Sequence, residues 1–503
     1  MEPRPSSQFF GHHRQWQGRD WTLLVLVTAL AAVLRLWALA FPHTLVFDET
    51  YYAKDACFYV FASEHVCGVG EEKTAVHPPL GKWLIAAGIA PLGYDSFSWR
   101  IAAAAAGTAT VALLYLLARK VTGSSLAAVV SAGLLAIDLL HLVQSRVAML
   151  DVFVPFFGVG AFLCLAYDRD RIAAPASGNE PRSVWSNLRG WRLLAGVLAG
   201  AAVASKWSGV LVLAALWLLT LAWEVGARRD RTMGTRAAGA AKEVAITFAW
   251  LCVVPLAVYC ASYTGILDGA LLALPWQEGS WVRAFVDRQQ YMFDFHYGLN
   301  ATHAYESPPW SWLLLKRPVS YYFDTTSSGD YREIMAFASP LVWWASLVAL
   351  GVLFVRWLPR RDYMAPEGLI LCGFALSYFP WFRLASGREA VFLFYVLPAV
   401  PFMCLALGRA AQLVASSIAG KAAVAVFACA AVALFGFYWP LVTGIAIPRS
   451  SWDARIWRFT SCDKPPPVKT TVTSTQTVKG TPRVEEKTTR SDENLPPKGW
   501  CWI

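Results

Sequence analysis

The chain has 503 residues, 56% hydrophobic and 16% charged, with a net charge of +10 and a mean hydropathy of +0.42. Soluble domains run about 25% charged, so this composition excludes a soluble enzyme, a disordered regulator and a disulfide-stapled miniprotein. The apolar residues come in blocks of roughly 17 to 25, enough to cross a bilayer as helices, and not in the alternation over about 10 residues of a membrane β-barrel.

In chain order, a basic leader, residues 1–20, carries Arg4, Arg14 and Arg19 ahead of the first block, near 21–41. No small-residue cleavage site follows, so the block reads as a retained helix rather than a signal peptide. Further blocks lie near 100–118, 124–141, 149–167, 192–205, 208–226, 243–263, 336–357, 367–382, 389–408 and 421–440. About eleven spans are predicted. The short loops on one side are basic, among them Arg119 with Lys120, Arg228 with Arg229, and Arg360 with Arg361. The positive-inside rule puts that side in the cytoplasm, with the N-terminus, and leaves the C-terminus outside. Basic residues thus report topology, and no nucleic-acid partner is implied. The extracytoplasmic side then holds the long loops 42–99 and 264–335 and a tail, 441–503. Within the tail, 465–497 is rich in Thr, Ser, Lys, Glu and Pro and reads as a disordered insert. Six cysteines fall inside apolar blocks, whereas Cys57, Cys67, Cys462 and Cys501 are external. In an oxidising compartment they read as two disulfides, Cys57 with Cys67 and Cys462 with Cys501; a metal site is the alternative.

Ionisable groups at membrane depth are functional candidates by default. Asp48 and Glu49 follow the first span, and a helix N-cap is the plain alternative for such an acidic turn. His77 in HPPLGK precedes an apolar segment and reads equally as a helix start. Arg100 sits at the outer end of the second span, where a snorkelling anchor is the ordinary explanation. Arg146 and Asp151 occupy the next outer turn and are each other's simplest partners. Lys206 interrupts an apolar run at an outer end, and Arg388 lies in the turn before the tenth span. All map to one membrane boundary although they are spread over more than 300 residues of sequence. A single external cavity with two carboxylates and several cations explains them together. Its chemistry suits a lipid-linked phosphate attacked by a nucleophile that must lose a proton.

FDETYYAKDA, HPPLGKW, FSWRIAAAAAGT, SRVAMLD, SKWSG, HAYESPPWSW and LLKRPVSYYF, in that order, resemble the protein O-mannosyltransferases, actinobacterial type, up to about Trp457. The resemblance implies an all-α polytopic glycosyltransferase of the GT-C class, residues 21–440 forming the transmembrane catalytic unit in the cell membrane. It implies transfer of mannose from polyprenyl-phosphate-mannose to Ser or Thr of unfolded secreted polypeptides, coupled to a translocon such as Sec. By position, the family's acidic loop motif falls on Asp48 and Glu49, and Arg100, Lys206 and Arg388 are the expected phosphate-binding cations. His77, Arg146, Asp151 and His303 would support them. Asp48 is the expected base, with Glu49 orienting an arginine, holding the peptide or sharing the base role. No cofactor is required, although the carboxylates are compatible with Mg²⁺ or Mn²⁺. Two other readings remain: a GT-C enzyme acting on a lipid or cell-wall glycan, and a transporter.

Overall fold

The computed structural model describes residues 16–173, 188–227, 243–299, 303, 305–362, 364–386, 390–456, 469–478 and 481–490. Helices occupy all the apolar blocks. They are α1 (Gly18–Leu36), α5 (Ser96–Thr122), α6 (Ser125–Ala136) with the short α7 (Leu139–Gln144), α8 (Phe153–Ala173), α9 (Gly190–Ser205) and α10 (Val210–Ala227). They continue with α11 (Glu243–Ala261), α13 (Pro340–Trp357), α14 (Pro366–Tyr378), α15 (Val400–Val414, entered through the 3₁₀ turn Leu393–Ala399) and α16 (Ile418–Thr443). Six stretches among the described residues are long and apolar enough to cross a membrane: Ser96–Thr122, Trp207–Glu224, Glu243–Ala261, Pro340–Trp357, Leu393–Val414 and Ile418–Thr443. The other blocks form helices that are shorter or carry charges near an end, such as Asp20 and Arg35 on α1.

Helix α5 is central, packing on α1, α6 and α8. Helix α9 lies against α11 through Gly196 and Gly200. A Cβ on Gly196 would stand 1.8 Å from the Trp250 carbonyl oxygen, so only glycine permits this approach. Several charges near the ends opposite the long loops are buried in ion pairs. Asp168 accepts from Arg189 Nη2 at 2.7 Å and from Arg192 Nε at 2.9 Å. Arg119 holds Asp20 at 3.1 Å.

Both long loops lie on the other face. The first holds α2 (Glu49–Phe61), the short α3 (Glu64–Cys67) and α4 (Leu80–Leu92), with the Cys57–Cys67 disulfide joining α2 to α3. Helix α4 starts immediately after Pro79, as the HPPLGK turn predicts. The second holds α12 (Trp281–Tyr297) and a hairpin of β1 (Val319–Thr325) and β2 (Tyr331–Ala336) with a register shift between Ser320 and Tyr322. A buried ionic knot docks one loop on the other. Lys82 Nζ reaches Glu72 at 2.7 Å and Asp55 at 3.1 Å, and Arg288 of α12 takes the second Glu72 oxygen at 2.7 Å. The second loop is thereby fixed over the first.

Within the segment expected to be a disordered insert, β3 (Lys469–Val478) pairs antiparallel with β4 (Thr481–Arg490). Runs such as KTTVTSTQTV are β-branched at alternate and adjacent positions, a strand preference that the polar composition hides. Cys462 and Cys501 lie outside the described residues.

Candidate active site

The first loop is shaped by two arginines, Arg100, expected at the phosphate, and Arg146, expected to support it. Arg146 instead turns its guanidinium onto the end of α1, donating to the carbonyl oxygens of Leu34 and Arg35 at 3.1 Å and Trp37 at 2.6 Å. Its pairing with Asp151 does not form. Arg100 is fully buried and donates to Glu49 through Nε and Nη2, each at 2.8 Å. It also binds the carbonyls of Leu39 at 3.3 Å, Pro42 at 2.8 Å and Thr44 at 3.0 Å. These partners engage all three of its nitrogens. Glu49, equally buried, accepts in addition from the amides of Ala148 at 2.8 Å and Val46 at 3.0 Å. The pair is therefore a structural anchor joining α2, α5 and the 146–151 turn. Of the three roles open for Glu49, the geometry supports orienting an arginine.

With Glu49 turned inward, the preceding residue at the helix start points elsewhere. Asp48 occupies the N-cap position of α2, yet its carboxylate makes no capping bond. Its hydrogen bond is from the Tyr52 hydroxyl, at 3.3 Å and one helical turn on. Burial pushes the Asp48 carboxyl up to about 6; the Asp151 charge adds to this, while Lys206 and the Tyr52 hydroxyl oppose it. Lys206, from the end of α9, lies between the two carboxylates' fields. Its Nζ donates to both Asp151 oxygens, at 2.7 and 2.8 Å, and sits 4.7 Å above the Tyr395 ring. Lys206 and Asp151, 55 residues apart in sequence, thus form a buried pair whose charges act on the Asp48 carboxyl.

The backbone before Asp48 is strained. Phe47 has φ of +47°, a left-handed conformation that costs about 1–3 kcal/mol for a side-chain-bearing residue and persists only where packing enforces it. The enforcement is visible: its ring meets Tyr321 at 4.9 Å, His303 at 5.7 Å, Phe392 at 5.8 Å and Phe394 at 5.9 Å. His303 thus supports the site by packing, and burial holds its pKa down to about 4, so it stays neutral. His77 stands 5.7 Å from Tyr52 and 5.2 Å from His296, which in turn lies 5.7 Å from Trp207. Arg388 lies outside the described residues.

The family described as dolichyl-phosphate-mannose-protein mannosyltransferase matches residues 25–99 and 91–265, and the C-terminal four-transmembrane region of protein-O-mannosyltransferase matches 281–461. A polyprenol-phosphate-mannose--protein mannosyltransferase of Mycobacterium tuberculosis (strain H37Rv) is 31% identical over 483 residues, 87% of this chain and 91% of that one. The chain is a protein O-mannosyltransferase family member. Its counterpart in Mycolicibacterium smegmatis (strain MKD8) is 30% identical, covering 88% of this chain and 93% of the relative. Among solved structures, the S. cerevisiae protein O-mannosyltransferase Pmt1-Pmt2 complex bound to the sugar donor has the same fold. Its TM-score is 0.72 at 17% identity, over 90% of this chain and 94% of that one. ArnT from Cupriavidus metallidurans bound to undecaprenyl phosphate shares the fold at a TM-score of 0.51 and 16% identity, over 79% and 61% of the two chains. This family member is thus a multi-pass membrane protein of the GT-C fold.

Sequence reasoning missed Tyr52, Tyr321, Tyr395 and Gln144, whose amide donates to the Tyr321 hydroxyl at 2.6 Å. Only Tyr52 carried a signal, its spacing of four from Asp48. Among the described residues no three His, Cys, Asp or Glu side chains converge as metal ligands.

Proposed function

We propose that the protein transfers mannose from polyprenyl-phosphate-mannose to Ser or Thr hydroxyls of unfolded secreted polypeptides. The face bearing both long loops is extracytoplasmic, in keeping with the basic short loops opposite. The observation that carries the reading is a carboxylate at a helix start that makes no capping bond, is desolvated by burial, and feels the charge of a lysine. A base of this kind is poised near neutral pH. Asp48 takes the proton from the acceptor hydroxyl as that oxygen attacks C1 of the β-mannosyl phosphate. The C1–O bond breaks, polyprenyl phosphate departs with the electron pair, and an inverted α-mannoside forms.

Lys206, held by Asp151, stabilises charge growing on the departing phosphate, the kind of interaction whose removal costs about 100 to 1000-fold in turnover. The scheme requires no metal: both Asp151 oxygens are committed to Lys206. The relatives' names support a protein acceptor. Acceptors reach the site unfolded, as emergence from a translocon such as Sec would deliver them. Purified protein in liposomes, given labelled polyprenyl-phosphate-mannose and a Ser/Thr-rich peptide, should label the peptide. Label on lipid or glycan alone, or uptake without transfer, would overturn the reading in favour of the other enzyme class or a transporter.

A further inference from the structure

Outside the membrane helices, side-chain hydroxyls are concentrated in the tail. Strand β3, ten residues long, bears Thr470, Thr471, Thr473, Ser474, Thr475 and Thr477. Strand β4 adds Thr481, Thr488 and Thr489. The two strands form a sheet by themselves, and an isolated two-stranded hairpin is marginally stable at best in water. It opens readily to an extended chain, the form in which the scheme above takes its acceptors.

The start of the tail is fastened to the face that carries the long loops. The Ile447 amide donates to the Tyr331 carbonyl at 3.0 Å, and the Tyr331 amide to the Ile447 carbonyl at 2.8 Å. Helix α17 (Arg449–Asp453) follows, and its Trp452 is fully buried, with Nε1 donating to Glu333 of β2 at 2.6 Å. On β1, the Phe323 ring lies 6.1 Å from the Trp452 ring, and the Tyr321 ring lies 4.9 Å from the Phe47 ring. A strand advances about 3.3 Å per residue, so Trp452 stands within roughly 20 Å of Phe47, the residue before Asp48.

Ile456 is still buried in this anchored stretch, and residues 457–468 then lead to β3. A linker of that length spans up to about 40 Å, twice the distance required. A tether that can bridge its two sites sets an effective concentration in the mM range. Hydroxyls held in this way need no docking surface of their own, and they compete with any free polypeptide for the site.

We propose that the tail is an acceptor of its own enzyme: threonines of β3 and β4 are O-mannosylated in cis. The inference rests on the mannosyl-transfer reading. The Thr Oγ1 proton passes to Asp48 as the oxygen attacks C1, the C1–O bond to phosphate breaks, and polyprenyl phosphate leaves with the electron pair. Each event consumes one donor and adds one α-linked hexose to the chain.

The test uses full-length protein, purified from a host without the lipid donor and incubated with labelled polyprenyl-phosphate-mannose and no peptide. The intact mass should rise in whole hexose steps, and electron-transfer fragmentation should place the hexoses between residues 469 and 490. Substituting every hydroxyl-bearing residue of that segment, in the manner of Thr473→Val and Ser474→Ala, removes the nucleophiles while valine keeps the strand preference. This variant should lose its self-labelling, yet label an added Ser/Thr-rich peptide at no less than the wild-type rate and with an unchanged melting temperature. Asp48→Asn should label its tail about 100 to 10,000-fold more slowly. Self-labelling per molecule should not change on dilution, and a free peptide of residues 469–490 should halve it only at about 1 mM or above. Wild-type protein that labels added peptide but gains no hexose on 469–490 would overturn the proposal and leave the transfer reading standing. So would self-labelling that falls in proportion to dilution, or that micromolar free peptide suppresses. Protein that labels neither tail nor peptide would overturn both.

Discussion

Removing the Tyr52 hydroxyl should move the acidic limb of the pH–rate profile. Asp48 acts only when ionised, and its pKa of about 6 means turnover falls tenfold per pH unit below about 6. The Tyr52 hydroxyl donates to Asp48 Oδ2 at 3.3 Å and so favours the ionised form. A hydrogen bond to a charged group contributes about 1.5–3 kcal/mol, and this one, being long, sits at or below the lower end. At 1.36 kcal/mol per pH unit, Tyr52→Phe should raise the limb by about one unit at most. The rate at pH 8 changes little, and the rate at pH 6 falls severalfold. Labelled mannose transfer to peptide, measured from pH 5 to 8 in proteoliposomes, reads both. A wild-type limb near 4, where an ordinary aspartate titrates, or a Tyr52→Phe limb that stays put or moves down, would refute the assignment of the limb to Asp48.

Lys206→Ala should reduce turnover about 100 to 1000-fold and lower the melting temperature, because Asp151 is left buried without its partner. Glu49→Ala, which strands the Arg100 charge, should destabilise by about 3–5 kcal/mol, seen as loss of folded protein in a thermal melt rather than as a pure rate defect. Burial raises the Glu333 carboxyl from 4.5 to about 7, so the unfolded chain ionises first and stability declines as pH rises from about 4.5 to 7. Glu333→Gln, which still accepts the Trp452 Nε1–H bond now made at 2.6 Å, should therefore raise the melting temperature at pH 8 and leave it nearly unchanged at pH 4. Transfer should persist in EDTA; activity that vanishes and returns with Mg²⁺ or Mn²⁺ would contradict the metal-free scheme.

The fold was legible because apolar blocks of membrane length need no partner to declare themselves. The pairing of Asp151 with Lys206, and their influence on Asp48, was legible because charges at one membrane boundary have few places to go. The division of labour among them was not. Arg100 and Lys206 look alike in sequence, each a cation at a helix end. Only the folded chain shows that carbonyls at Leu39, Pro42 and Thr44 and the Glu49 carboxylate absorb the first. Likewise Asp48 and Glu49 are adjacent, and which one turns inward depends on the Ala148 amide, 99 residues away. The β3–β4 hairpin was masked by polarity, since disorder and a Thr-rich strand pair share a composition. The aromatic wall around Phe47 comes from residues of three distant segments whose spacing carries no pattern.

The most direct test is the rate of mannose transfer by Asp48→Asn, which keeps the side chain's size and removes the base. A general base contributes about 100 to 10,000-fold. The variant should fold, bind the lipid donor and transfer slower by that factor at pH 7.5. Transfer by Asp48→Asn at near the wild-type rate would contradict the account.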